Sequence, residues 1–452
     1  MNVKSALLYV FAAFLLCLSA HALGPHELLV LANEGSEESV ALARRYMEWR
    51  RVPECNLVLI TLPEGSVSEL AIGLKAFRKH ILSPALEATQ ERGIDGHILA
   101  WAYSTDFPTR VSVPQGVSLL GATFVRGELP ATEAILKAEY RSPLFAGPER
   151  TKGVRSSSQT FGRAARLLGD DMPLPSMMLG FTGEHGNTID EVRGALWRGV
   201  ESDATSPTGT VYLVRTGDVR SRARQWQYGG AKRELALEGV SAVVTDAFPA
   251  GKKDVLGLMT GSAAVKAETV GAFVPGAMAD HLTSYAGAFH VAGQSKMSVW
   301  IRAGATLTAG TVVEPRALYL KFPTARFYFY YAKGCTAIES FFLSLGSPLQ
   351  ILLLGDPLAA PWAVDDRVVI EGVPSAPVSE SFEVSSRLRR TDPMRFYSNN
   401  IWLVDGRVVA RGREPTIEVS KLSSGRHTLR VVAYGPGLVR PQVFAVEEFE
   451  VE

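Results

Sequence analysis

Seven apolar runs of strand length recur along residues 27–263, and they constrain the fold more than any other feature. They are "ELLVLAN" (27–33), "NLVLITL" (56–62), "GHILAWAYS" (96–104), "SMMLGFTG" (176–183), "TVYLVRTG" (210–217), "VSAVVTDA" (240–247) and "DVLGLMTGSA" (254–263). Most lack the polar alternation of a half-exposed strand, so they are expected to be buried on both faces. Helical segments separate several of them. This rhythm predicts an α/β fold, a mostly parallel sheet with helices on both faces.

The intervening segments carry helix signals. In "SEESVALARRYMEWRRV" (36–52), Ser36 is an N-cap and Val40, Ala43 and Met47 share one face. Residues 66–93 read as a helix bent or broken at Pro84. Thr188 and Glu191 stand at capping-box spacing before the helix at 188–203, and a further helix is expected near 219–238. Residues 105–175 lose the rhythm and read as a long irregular insertion or an excursion over the sheet edge.

After residue 365 the texture changes. Short alternating strands are separated by turn residues, and Asp405-Gly406 between "IWLV" and "RVVA" predicts a hairpin. The expected division is therefore an α/β domain over 23–365 and an Ig-like β-sandwich over 366–452, without the Cys–Trp–Cys core of antibody domains.

Residues 1–22 read as a signal peptide: Lys4, the apolar core "ALLYVFAAFLLCL" (6–18), and "AHA" at 20–22 before the cleavage point. That core is shorter than the roughly 20 residues of a membrane helix, and no later stretch is long and apolar enough to span. The expectation is an exported protein, periplasmic or extracellular, with no membrane span in the mature chain. The net charge of +1 over 452 residues gives no field for nucleic acid. Cys55 and Cys335 remain after export, too few for a disulfide framework, and whether they pair is left open. No histidine–cysteine cluster has metal-ligand spacing and no phosphate loop or dinucleotide fingerprint occurs, so no metal or cofactor is implied.

Candidate site residues fall at predicted strand ends, where sites in parallel sheets are built. "MTGSA" (259–263) offers Thr260 and Ser262, "DHLTSYAGAF" (280–289) offers Asp280, His281, Thr283 and Ser284, and "GTVVEP" (310–315) offers Glu314. A catalytic reading makes Ser284 the nucleophile, His281 its base and Asp280 the group that orients the imidazole. In an extended strand His281 and Ser284 would face opposite ways, so this reading needs a tight turn. The other reading has Asp280 and Thr283 bonding backbone groups in a buried turn. Cys335 opens a helix in "GCTAIESFF", where Thr336 and Glu339 form a second capping box. "TGEHGN" (182–187) is a weak candidate anion loop ahead of a helix, and "RFYFYY" (326–331) reads as a buried segment.

The run from "GAFVPGAMADHLTSYAG" through "IRAGATLTAGTVVEP" and "KFP" to "GDPLAAPW" resembles a family of exported bacterial proteins defined by sequence models rather than by activity, over residues 25–365. More distantly, the order of elements resembles the gingipain-type cysteine peptidases, which have a caspase-like fold. In those enzymes a catalytic His sits in a Gly-His-Gly turn, and the catalytic Cys in Cys-x-x-Gly-x-Phe. "SYAGAF" (284–289) keeps the second spacing with Ser284 in the place of the nucleophile, while "MTGSA" holds no histidine. "LLLGDPLAAPW" (352–362) matches the close of the domain. The resemblance implies a caspase-like framework without the peptidase's catalytic residue types. The expected function is therefore a binding role in a non-peptidase relative. A hydrolase using Ser284 is the alternative. A structural part of an envelope assembly, with the sandwich docking a protein partner, is a third.

Overall fold

Leu28–Asn33 is buried at all six positions, which accounts for its unbroken apolar run: covered on both faces, it has no solvent side to alternate with. The computed structural model describes residues 22–149, 161–436 and 439–452. The signal segment, residues 1–21 of it, and part of the 105–175 stretch lie outside the described residues.

The main sheet has ten strands. In chain order they are β1 (Leu28–Asn33), β2 (Leu57–Ile60), β3 (Ala100–Tyr103), β4 (Ser176–Met178), β5 (Thr210–Val214), β6 (Ser241–Thr245), β7 (Lys252–Gly261), β8 (Gly271–Leu282), β9 (Leu307–Thr311) and β10 (Ile351–Gly355). Their spatial order is β2-β1-β3-β4-β10-β9-β8-β7-β5-β6. Most neighbours pair in parallel, while β9 and β10 are antiparallel. Strand β10 inserts between β4 and β9, meeting β4 at Leu354 and Met178. The loops leaving β4 and β8 touch each other: Phe181 stacks on Phe289 at 3.9 Å, and Asn187 donates to the Ser298 carbonyl at 3.1 Å.

Helices pack against the sheet. Glu37–Arg50 starts at Ser36, whose side chain accepts from the Ser39 amide. Ile189–Ser202 and Ala337–Ser344 both begin with the capping boxes expected from sequence, Thr188 with Glu191 and Thr336 with Glu339. Pro84 does not break its helix. Residues 74–91 run through one wide π-turn at Arg78–Leu82, just ahead of the proline that cannot donate. The described part of 105–175 is more than an excursion over an edge. Arg110–Ser112 and Val117–Ser118 form a small sheet with Ala71–Gly73, and Leu119–Phe124 is a helix buried along its length. Leu120, Phe124 and Leu144 join the main core. Short structured pieces with mixed polarity escaped the period-based reading.

After residue 365 the chain is antiparallel. It contains β11 (Arg367–Glu371), β12 (Phe382–Glu383), β13 (Ser385–Arg389), β14 (Asn399–Val404), β15 (Arg407–Arg411), β16 (Thr416–Ile417), β17 (Gly425–Tyr434) and β18 (Gln442–Val451). A four-stranded sheet β15-β14-β17-β18 faces the two-stranded pairs β11–β13 and β12–β16. Val368, Ile370, Trp402, Leu429, Val431 and Phe449 form a core of their own. Asp405 and Gly406 turn the β14–β15 hairpin with φ of 49° and 82°. Both values are left-handed, as the tightest hairpin turns require.

This antiparallel region docks on the segment before β1 and on the end of the helix Ser83–Glu91 through polar contacts. Tyr434 Oη lies 2.8 Å from His26 Nε2, Gln442 donates to the Ala22 carbonyl and to Glu27, and Arg407 donates to the Arg92 carbonyl. No helix among the described residues is long and apolar enough to cross a membrane.

Candidate functional site

The end of β8 is where sequence concentrates the candidates. Thr260 of β7 and His281 of β8 are in register, so these two strands end side by side. Adjacent residues of a strand point to opposite faces, and Asp280 and His281 do so with different partners.

Asp280 is 1% exposed and forms a two-pronged ion pair with Arg224, at 2.5 and 2.8 Å. Arg224 is fully buried and also donates to the carbonyls of Thr260 and Pro323. Burial pushes the Asp280 carboxyl up, and Arg224 opposes that shift. Asp280 therefore ties the helix Val219–Arg224 to the strand ends and leaves His281 alone.

His281 is also 1% exposed, with both ring nitrogens engaged. Nδ1 accepts from the Trp300 indole at 2.9 Å, and Nε2 donates to the Ser295 carbonyl at 3.0 Å. Burial lowers its pKa to about 4, so the ring is neutral near pH 7. The structure does not assemble Asp280, His281 and Ser284 into one relay. The imidazole has no free acceptor, and its carboxylate neighbour is committed to a guanidinium.

Thr283 is fully buried. Its hydroxyl accepts from Arg220 Nε at 3.1 Å and donates to Gln294 Oε1 at 2.7 Å. The expected backbone partners of Asp280 and Thr283 are thus replaced by side chains from segments distant in sequence. Thr311 Oγ1 contacts the carbonyls of both Thr283 and Ser284 at 3.0 Å, pinning the loop to the end of β9. Gly287 is required there, because a Cβ would come within 2.6 Å of the Gly310 carbonyl oxygen.

Ser284 is half-buried and lines a pocket of about 240 Å³ with Thr283, Arg220, Glu314 and Arg316. Glu314 is exposed and accepts from the Arg316 amide. Arg220 is also paired with Asp218 at 3.2 Å. Thr260 and Ser262 do not line this pocket: Thr260 is 1% exposed, and Ser262 donates to the Ala264 carbonyl. Sequence reasoning missed Arg220, Arg224 and Arg316. For Arg220 and Arg224 the run "RTGDVRSRAR" carried the signal, since arginines entering a helix beside strand ends are placed to meet carboxylates there.

Cys335 is a poor nucleophile. It is 1% exposed, and burial next to Glu339 holds its thiol well above the usual range. Burial also raises Cys55, and both thiols are free. His185 lies in an exposed pairing with Glu184. Among the described residues, no group of three or more His, Cys, Asp or Glu could hold a metal ion.

No family model matches this chain, and no curated protein matches it. Among solved structures, it is similar to the fibronectin(III)-like modules of Clostridium thermocellum CbhA, at 20% identity over 19% of this chain and 96% of that one, with a TM-score of 0.16. It is also similar to the endo-beta-1,4-mannanase from Thermotoga petrophila, at 9% identity over 83% of each chain, again with a TM-score of 0.16. Likenesses at these scores show neither an activity nor a partner for this chain.

Proposed function

We propose that this chain is an exported binding protein, a non-peptidase relative of the gingipain-like enzymes, with a caspase-like sheet domain and an Ig-like sandwich. One observation carries the non-hydrolytic reading: each group that would activate Ser284 is committed elsewhere, His281 to Trp300 and Ser295, Asp280 to Arg224. A serine hydroxyl without a base is barely nucleophilic at neutral pH. The pocket beside it has the mixed polar wall of a binding site: a hydroxyl, two guanidiniums and one carboxylate.

The test is labelling with a fluorophosphonate probe for active serines, in wild type and Ser284→Ala. Equal, background labelling of both is expected. Labelling of the wild type that disappears in Ser284→Ala would establish the hydrolase instead. Export is read from the N-terminal mass of protein secreted from a bacterial host, which should begin at Leu23; a chain retained in the cytoplasm with Met1 intact would refute it.

A further inference from the structure

A second cleft, of about 600 Å³, lies between the main-sheet domain and the antiparallel region. Arg51 and Cys55 line it from one side, Arg407 and Arg430 from the other. It is separate from the pocket at Ser284.

Arg430 is 6% exposed. Its Nη2 donates to the Arg51 carbonyl, and its guanidinium lies 4.8 Å over the Phe444 ring. Its Nη1 is buried with no hydrogen-bond partner among the described residues. No carboxylate among the described residues pairs with it. A buried guanidinium without a counter-ion is among the most unfavourable arrangements a protein can hold, and it is ordinarily matched by an anion. Burial, with Arg51 close by, pushes its pKa down to about 9, so it still carries its charge near pH 7.

The carboxylates around the cleft do not supply that match. Glu54 pairs with Arg44 at 2.6 Å, Glu48 with Arg45 at 2.8 Å, Asp405 with His427 at 2.6 Å and Glu448 with Arg426 at 3.5 Å. Arg51 and Arg407 have no ion pair among the described residues. Arg407 spends only its Nε, on the Arg92 carbonyl. Although four carboxylates line the same cleft, three guanidiniums around it therefore make no ion pair among the described residues. One of them is desolvated, which strengthens its attraction for a charge placed beside it. Guanidinium donors arranged this way suit an oxygen anion better than a halide, because the planar fork matches two oxygens.

We propose that this interdomain cleft binds an oxyanion group, a carboxylate or a phosphate, at the Arg430 guanidinium, flanked by Arg51 and Arg407. Because the guanidiniums come from both sides, the bound group also ties the antiparallel region to the sheet domain.

Cys55 lines the same cleft and reports on its occupancy. The experiment follows alkylation of Cys55 by iodoacetamide, mapped by peptide mass. It is run in rising sodium phosphate or sodium acetate, each against sodium chloride at equal ionic strength. Saturable slowing is expected with at least one oxyanion, about tenfold when it stands at ten times its Kd. Phosphate alone acting assigns the site to phosphate groups, and acetate alone to carboxylates. Arg430→Met, which keeps the packing on Phe444, is expected to abolish the effect. Arg407→Ala, altering an exposed side chain, should weaken it severalfold and serves if Arg430→Met does not fold. No slowing by either anion beyond that of chloride overturns the proposal, as does protection unchanged in both variants.

Discussion

Trp300 donates its indole N–H to His281 Nδ1 across 2.9 Å, and that bond fixes the tautomer of the histidine. The proton then sits on Nε2 and is donated to the Ser295 carbonyl at 3.0 Å. Neither nitrogen is left to serve a neighbouring hydroxyl. A residue that in sequence looks like a base is in structure a bridge between β8, the helix Ser298–Arg302 and the loop before it.

The neutral state of His281 has a pH consequence. Burial lowers its pKa to about 4, below the ordinary 6.5. Between those values the unfolded chain binds more protons than the folded one, so this group's stabilisation is complete above about pH 6.5 and is lost as pH falls toward 4. The expected loss by about pH 4.5 is on the order of 2–3 kcal/mol. Other buried groups titrate over the same range, His97 also at about 4. The informative quantity is therefore the difference between wild type and His281→Leu in urea unfolding at each pH. The wild-type advantage should shrink on acidification; a constant difference would refute the linkage.

Thr283 and Ser284 are neighbours with opposite expectations. Thr283→Val removes a fully buried hydroxyl, leaves Arg220 Nε without its Thr283 acceptor and leaves Gln294 Oε1 with only the Tyr285 amide, which should cost about 2 kcal/mol. Ser284→Ala touches a half-buried hydroxyl on a pocket wall and should stay within about 0.5 kcal/mol. Denaturant midpoints of the two variants decide it, and a reversed order would mean that the pocket wall carries the loop.

How much of this was legible in the sequence depended on the range of the interaction. The unbroken apolar run of β1, the Thr188–Glu191 and Thr336–Glu339 boxes and the Asp405-Gly406 turn are local, and each was visible. The partners of Asp280 and His281 were not. Arg224 lies 56 residues before Asp280 and Trp300 lies 19 after His281, and no local period links such pairs. Pro84 misled for a different reason. Its missing donor was absorbed by a π-turn, a geometry that sequence periodicity does not announce. The buried helix Leu119–Phe124 was missed because six residues span too few turns to show a stripe.

Gly406 tests the docking of the antiparallel region. Its φ of 82° already favours glycine, and a Cβ there would overlap Cys55 Sγ and Pro53 of the sheet domain. Gly406→Ala should strain the hairpin and push the two parts apart, at about 2 kcal/mol or more. The readout is faster alkylation of Cys55, with the far-ultraviolet circular dichroism of the folded chain unchanged. Unaltered Cys55 reactivity would place the flexibility in the hairpin instead.

The Arg224–Asp280 pair makes the sharpest claim about the strand-end cluster. Both side chains are removed from water, and Arg224 also donates to the Thr260 and Pro323 carbonyls, so three segments converge on one guanidinium. Removing either partner leaves a buried charge alone. Asp280→Ala should therefore cost about 3–5 kcal/mol, and Arg224→Met about as much. Replacing both, as Arg224→Met with Asp280→Leu, removes the unpaired charge and should recover most of that loss, although the two carbonyls lose a donor. The double-mutant cycle, read by urea unfolding at about pH 7, is expected to show a coupling of about 2–3 kcal/mol. A catalytic Asp280 would predict otherwise: the single variant would be nearly as stable as the wild type and defective only in turnover. Strict additivity of the two substitutions would overturn the structural assignment and make Asp280 a candidate catalytic group again.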